Sequence, residues 1–372
     1  MELLPELAGE VTGDPERRGV ATLGEFTAGQ LRRLCEVAGL GPEDARTYAD
    51  VLTGALGPEA GRRLDLPPSG RTFLSDDHTP VEYSLAFRPD GPPDLRVLLE
   101  PGCGAGTLEE NGRAGLEAVH AMSRRWGFAT ACLDKLEELL LPPSPEGPLA
   151  LWCALELLPG GVPRVKVYLN PAARGASRAG ATLREALERI GHHWAFEGLP
   201  EGDGYPFLAL DLGGWELPRV KVYVRHSGLP AAAVGELSRM PDGPPAAVLR
   251  EFAAAAAGTG NADARFSGLP VLSCHAFTDP ADDLPSGFTL HVPVRDYVRH
   301  DGEALDRAVA LLSRHGMDPD PLVRALSAIT GRRPQDGVGL IAYLALAHQR
   351  GRPPRITAYL SAEAYTVRPP AG

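Results

Sequence analysis

The chain reads as an α+β fold: a ten-stranded antiparallel β-barrel surrounded by helices and built from repeated αββα units. Three observations carry this reading. The hexapeptide Pro163-Arg164-Val165-Lys166-Val167-Tyr168 recurs unchanged as Pro218-Arg219-Val220-Lys221-Val222-Tyr223, and an internal repeat of this kind marks a repeated structural unit. The 43 glycines and 36 prolines make up about a fifth of 372 residues, which favours many short elements over long helices. Paired strand-like runs joined by turn residues also alternate with helix-forming segments along the chain.

The elements follow in order. Residues 23–56 have helical spacing. Residues 81–87 turn at Pro89-Asp90-Gly91-Pro92-Pro93 into 95–99 as the first hairpin. Helices follow over 112–126 and 129–141. The second hairpin pairs 149–158 with the first hexapeptide through Pro159-Gly160-Gly161. A helix over 181–193 leads to the third, in which 207–212 turn near Gly213-Gly214 into the second hexapeptide. A helix over 231–256 precedes the fourth, 271–277 through 279–286 into 288–294. Helices over 302–315 and 321–330 precede the fifth, 338–347 through Gly351-Arg352-Pro353-Pro354 into 356–360. Sequential hairpins remove their edges by closing into a barrel, and ten strands leave a lumen. The organisation expected is one domain over 1–372, with an N-terminal helical region at 1–70 and the repeated barrel at 71–365.

Strand periodicity assigns the two faces. Val165, Val167 and Leu169 share one face, and Arg164, Lys166 and Tyr168 share the other. The second copy separates Val220, Val222 and Val224 from Arg219, Lys221, Tyr223 and Arg225. Amphipathic helices need an apolar sheet face, so the aliphatic side points outward and the Lys/Arg/Tyr side lines the lumen. Glu82, Arg96, Thr289, His291, Tyr343, Arg355, Thr357 and Tyr359 fall on the same inner face.

Composition narrows the chemistry. A net charge of −11 argues against a basic-patch nucleic-acid binder. No apolar run reaches the roughly 20 residues that cross a bilayer. Residues 1–18 are acidic and lack a signal-peptide pattern. Five scattered cysteines without a Cys-x-x-Cys pair read as reduced thiols of a cytoplasmic protein. Arginine supplies 34 of the 37 basic residues, so Lys135, Lys166 and Lys221 stand out. Cations drawn from separate strands suit a diphosphate. Interleaved tyrosines stabilise a carbocation and exclude water from it. The single carboxylate Glu82 can accept a proton. Together these features point to transfer of an allylic group to an aromatic ring.

The sequence resembles the dimethylallyltryptophan synthase-type aromatic (indole) prenyltransferases, in their bacterial branch, over roughly residues 70–365. The matching motifs are the paired Lys-x-Tyr strands, Val-Glu-Tyr-Ser at 81–84, Arg96-Val-Leu-Leu-Glu-Pro101 and Tyr-Leu-Ser at 359–361. The resemblance implies the prenyltransferase barrel, with dimethylallyl diphosphate as donor and L-tryptophan or a derivative as acceptor. It also implies chemistry without a metal or other cofactor, of the kind found in alkaloid-type secondary metabolism. Glu82 matches the glutamate that binds the indole N–H and assists deprotonation. Arg96, Lys166, Arg219 and Lys221 match diphosphate ligands, and Arg350, nine residues before Tyr359, is similar to the last of them. Tyr168, Tyr223, Tyr343 and Tyr359 match the tyrosine shield around the allylic cation. Two departures bear on diphosphate binding, proton relay and acceptor choice: Thr289-Leu290-His291 replaces a third Lys/Gln-x-Tyr pair, and Asn170 replaces a tyrosine. His291 is assigned to catalysis as a proton relay, with a hydrogen-bonded wall histidine as the equal alternative. C6 is the position of attack carried forward, with C5, C7 and N1 open.

One segment points elsewhere. Residues 97–106, ending in Gly102-Cys103-Gly104-Ala105-Gly106, are similar to the glycine loop of S-adenosylmethionine-dependent methyltransferases, with Asp134 as the ribose acceptor. That fold needs a parallel sheet, which hairpins do not provide. A non-catalytic barrel binding an anionic aromatic ligand is a third class, and Glu82 argues against it. Asp76-Asp77 and Asp282-Asp283 lack a third carboxylate and read as solvated loop residues. Arg164 and Arg225 read as rim residues.

Overall fold

The computed structural model describes residues 21–214, 218–260 and 264–371. The acidic stretch at 1–18 lies outside them. Ten strands close into an antiparallel barrel: β1 (Val81–Phe87), β2 (Asp94–Leu99), β3 (Leu151–Glu156), β4 (Arg164–Leu169), β5 (Gly204–Leu212), β6 (Val220–His226), β9 (Val271–Phe277), β10 (Gly287–Val292), β11 (Ile341–Gln349) and β12 (Arg352–Ser361). Each strand pairs with its sequence neighbours in the barrel, and β1 pairs with β12 to close the ring. A separate short ladder joins β7 (Leu229–Pro230) to β8 (Arg265–Phe266). All five expected hairpins are present.

The aliphatic faces look outward, where helices cover them. Val165, Val167 and Leu169 are no more than 2% exposed. Helix α1 (Leu23–Val37) and helix α2 (Pro42–Leu56) pack on each other, and α1 lies against β1. There the Tyr83 hydroxyl donates to the Thr27 carbonyl at 2.8 Å. Helix α3 (Leu108–Trp126) packs on β3. A Cβ at Gly115 would come within 3.1 Å of Leu151, so glycine permits this close approach. Helices α4 (Ala131–Asp134) and α5 (Glu137–Leu140) replace one expected helix, and α6 (Ala179–Arg189) lies against β5. Helices α7 (Ala246–Ala257), α8 (Asp301–Arg314) and α9 (Asp320–Ile329) complete the belt.

Four details differ from the sequence reading. The segment 231–256 is not one helix: Pro241, Pro244 and Pro245 break it into a 3₁₀ turn (Ala231–Glu236) and α7. The fifth hairpin turns at Arg350-Gly351, with Gly351 at φ +72°, so Arg352, Pro353 and Pro354 belong to β12. Asp77 is a buried hub rather than a solvated loop residue. Its carboxylate accepts from the Thr79 amide at 3.0 Å, the Thr79 hydroxyl at 2.7 Å and the Tyr365 amide at 3.0 Å, tying the chain's last segment to the entrance of β1. The glycine loop is a packing device, not a cofactor turn. It follows an antiparallel strand, and a Cβ at Gly102 would fall 2.3 Å from the Asn111 carbonyl oxygen. Its Glu100 is buried and accepts from Asn111 Nδ2 at 2.6 Å, Trp152 Nε1 at 3.1 Å and the Thr72 hydroxyl. Asp134 bonds His120 and Thr130 on the surface. The methyltransferase alternative fails with the parallel sheet it required.

Candidate active site

The lumen holds a cavity of about 950 Å³. All five hairpin turns lie at one end, so each inward side chain has a depth set by its strand register. Counting from the turns, β2 presents Asp94, Arg96 and Leu98; β3 presents Glu156, Ala154 and Trp152; β4 presents Arg164, Lys166 and Tyr168; β5 presents Asp211, Ala209 and Phe207. Strand β6, entered from Arg219, continues with Lys221 and Tyr223, and β12 presents Arg355, Thr357 and Tyr359. Charged groups thus ring the mouth, aromatic groups lie beneath them, and Glu82, opposite Leu98 and Ser361, lies deepest.

The outer tier pairs cations with carboxylates. Asp211 meets Lys166 Nζ at 3.1 Å and Arg219 Nε at 2.6 Å. Glu156 meets Arg96 at 3.2 Å and Arg164 at 2.9 Å. Burial alone would raise both carboxyls. Lys166, Lys221 and Arg219 instead hold Asp211 well below the usual carboxylate range, and Arg96 and Arg164 hold Glu156 down to about 2. Lys221 and Arg355 have no ion-pair partner among the described residues. Burial, then the neighbouring Lys166 charge, lowers Lys221 well below its usual value; burial and Arg96 lower Arg355. Asp211 still acts on Lys221, and Tyr359, Glu156 and Asp94 on Arg355, but neither cation has a direct ion pair among the described residues, so an anion entering the lumen meets both without first breaking one.

The middle tier is aromatic. Tyr168 and Tyr223 have ring centroids 5.9 Å apart, and Phe207 meets both edge-on at 6.0 and 5.5 Å. His291 stands 5.6 Å from Tyr223 and 5.7 Å from Tyr359, and its Nε2 shares a 3.2 Å hydrogen bond with the Tyr359 hydroxyl. Burial, then Lys221, pushes His291 down to about 3, so its imidazole is neutral. Burial keeps Tyr168, Tyr223 and Tyr359 as phenols. Glu82 is pushed up to about 8 by burial, with Arg295 opposing and Asp76 adding to the rise.

The structure gathers most of the residues singled out in the sequence around this one cavity: Glu82, His291, Arg96, Lys166, Arg219, Lys221, Tyr168, Tyr223 and Tyr359 all line it. Tyr343 stands one layer back, edge-on to Tyr359 at 6.4 Å, with the Arg295 guanidinium 5.0 Å over its ring. Arg350 does not line the cavity. It sits exposed in the β11–β12 turn, and Arg352 and Arg355 line the wall instead. The alternation of Arg355 with Ile356 already carried that signal. Asn170 is not among the residues lining the cavity: its Oδ1 accepts from the Ala172 amide at 2.9 Å and its Nδ2 donates to the Glu146 carbonyl at 2.9 Å, so it caps the turn after β4. Arg164 and Arg225 are exposed, as rim residues. Sequence reasoning missed Asp211, Glu156, Trp152 and Phe207, although strand alternation places all four inward.

The family model described as tryptophan dimethylallyltransferase matches residues 25–243. The chain belongs to this family. It is an aromatic prenyltransferase by fold and family. Its barrel superposes on that of the prenyltransferase PriB in a ternary complex with L-tryptophan and dimethylallyl thiolodiphosphate, with a TM-score of 0.92 and 63% identity over 94% of this chain and 99% of that one. The 5-dimethylallyltryptophan synthase from Streptomyces coelicolor, in complex with a thiolodiphosphate donor analogue and tryptophan, gives 0.91 and 64% over 95% and 98%. The 6-dimethylallyltryptophan synthase from Micromonospora olivasterospora gives 0.86 and 40% over 94% and 99%. Among the described residues, no helix is long and apolar enough to cross a membrane.

Proposed function

We propose that the enzyme transfers a dimethylallyl group from dimethylallyl diphosphate to the indole ring of L-tryptophan or a tryptophan derivative, without a metal, in the cytoplasm. The observation that carries this is the tiered lumen: cations at the mouth, an aromatic and imidazole belt beneath, and a carboxyl at the base, along one cavity. Relatives named for attack at C5 and at C6 share the barrel. C6 is the position put forward, and NMR of the product distinguishes the two.

The chemistry follows the tiers. The diphosphate lies against Lys221 and Arg355, with Arg96, Lys166 and Arg219 around it, and these charges take the role a divalent ion would otherwise fill. The allylic C1–O bond breaks and its electron pair leaves with the diphosphate. The resulting cation lies between the π-faces of Tyr168, Tyr223 and Tyr359, which exclude water. A ring carbon of the indole attacks the cation and forms the new C–C bond. In its ionised form Glu82 accepts a hydrogen bond from the indole N–H, and its negative charge stabilises the positive charge growing on the ring. The ring proton then leaves to the neutral imidazole of His291; even a weakly basic nitrogen takes a proton from so acidic a cation.

Lys166→Ala tests the placement. Donor KM should rise roughly tenfold, as expected for a lost charge-assisted hydrogen bond, with acceptor KM little changed. A larger effect on acceptor KM would put the diphosphate elsewhere.

A further inference from the structure

The mouth of the lumen contains anions where an anionic substrate must bind. Asp211 stands directly opposite Lys166 in the β4–β5 register and bridges to Arg219, so one carboxylate holds two of the cations that face the donor. Glu156 repeats the arrangement between Arg96 and Arg164. Neither carboxylate is needed for the proposed chemistry, and a site evolved only for tight diphosphate binding would leave them out.

From this geometry we infer that Asp211 is an internal counter-ion that competes with diphosphate for Lys166 and Arg219 and so promotes release of the diphosphate product. The inference rests on the diphosphate site proposed above. In the empty lumen the carboxylate satisfies both cations. A bound diphosphate shares them with Asp211 at close range, and like charges repel. When bond breaking leaves free diphosphate, which is more highly charged than the ester, that repulsion is at its greatest and Asp211 recaptures its partners as the product departs. Lys221 and Arg355 form no direct ion pair among the described residues, so they hold the diphosphate without first giving up a carboxylate. Partial burial strengthens the competition, because side chains 16–30% exposed are screened less than charges on an open surface. Asp211 is therefore a positioning residue that acts through Lys166 and Arg219, not a group that touches the reacting carbon.

The test uses inorganic diphosphate as the probe, by calorimetric titration of the full-length enzyme, alongside steady-state kinetics. Asp211→Asn keeps the shape and removes the charge. Its Kd for diphosphate should fall about tenfold, product inhibition should strengthen to match, and kcat should fall while kcat/KM for the donor holds or rises. Asp211→Glu should restore wild-type behaviour. Glu156→Gln, which frees Arg96 and Arg164 instead, should shift Kd in the same direction and serves as the second variant if Asp211→Asn does not fold. An unchanged or weaker Kd in the folded variants overturns the inference, because it makes the carboxylates scaffolds for the cations. A wild-type enzyme that fails to bind diphosphate at all overturns the placement of the site instead, so the two failures are distinguishable.

Discussion

Burial of Glu82 couples the carboxyl proposed to bind the indole N–H to the stability of the whole barrel. The carboxyl rises from an ordinary 4.5 to about 8, chiefly through burial, so the empty fold favours its neutral form. At 1.36 kcal/mol per pH unit, that gap corresponds to about 5 kcal/mol of stability withheld once the group must ionise. The penalty is absent below the unfolded value of 4.5, grows as pH rises through the interval, and is complete above about 8. Water in an open lumen takes up part of it, leaving about 2–4 kcal/mol as the expected effect. Glu82→Gln is neutral at every pH and removes the term. Urea denaturation of both proteins from pH 4.5 to 9 should therefore show curves that agree at the acid end and separate by about 2–4 kcal/mol at the alkaline end, with the variant the more stable. The same ionisation should govern kinetics. For the wild type, kcat/KM for the acceptor should climb about tenfold per pH unit below 8 and then level off, because this parameter reports the free enzyme. Glu82→Gln should lose that limb and about 10²–10⁴ in turnover. Parallel stability curves together with a flat acceptor profile would refute the reasoning, since both follow from one buried carboxyl.

Other outcomes follow from the middle tier and from the scaffold. Tyr223→Ala should open the cation to water, seen as free dimethylallyl alcohol in place of prenylated product, whereas Tyr223→Phe keeps the π-face and should stay coupled. Asn170→Ala removes a cap and should cost about 1 kcal/mol in denaturation, with the ratio of acceptors used unchanged. Asp77→Ala strands the amides and hydroxyls that converge on one buried carboxylate and should cost about 2–4 kcal/mol, read as a lower Tm, because unsatisfied donors carry the full desolvation penalty.

Much of this architecture is legible from local pattern. Strand alternation is a property of a few neighbouring residues, so Lys166, Tyr168, Lys221 and Tyr223 announce both their strands and their common face. The same alternation places Arg355, Asp211 and Phe207 inward. Asp211 and Phe207 carry neither the positive charge nor the phenol that marks a diphosphate and cation site, so alternation is their only signal, whereas the spacing of Arg350 from Tyr359 suggests a ligand although a tight turn carries it outward. Other features depend on partners distant in sequence. Asp77 reads as a solvated loop residue until Tyr365 is brought beside it. Asn170 reads as a substitution in an active site until the Glu146 carbonyl is seen bonded to its amide. The glycines at 102 and 104 have the composition of a cofactor loop, and only the Asn111 backbone, 2.3 Å from a hypothetical Cβ at Gly102, shows that the loop is packed tight. The perturbed chemistry of Glu82 and His291 likewise comes from burial across the barrel, which no single strand encodes.

The most direct test of the central claim is mass spectrometry of the wild-type enzyme incubated with L-tryptophan and dimethylallyl diphosphate in the presence of EDTA. The account predicts a product carrying one added dimethylallyl unit at undiminished rate, with NMR placing it on the indole ring. No transfer, or transfer only after a divalent metal is restored, would contradict it.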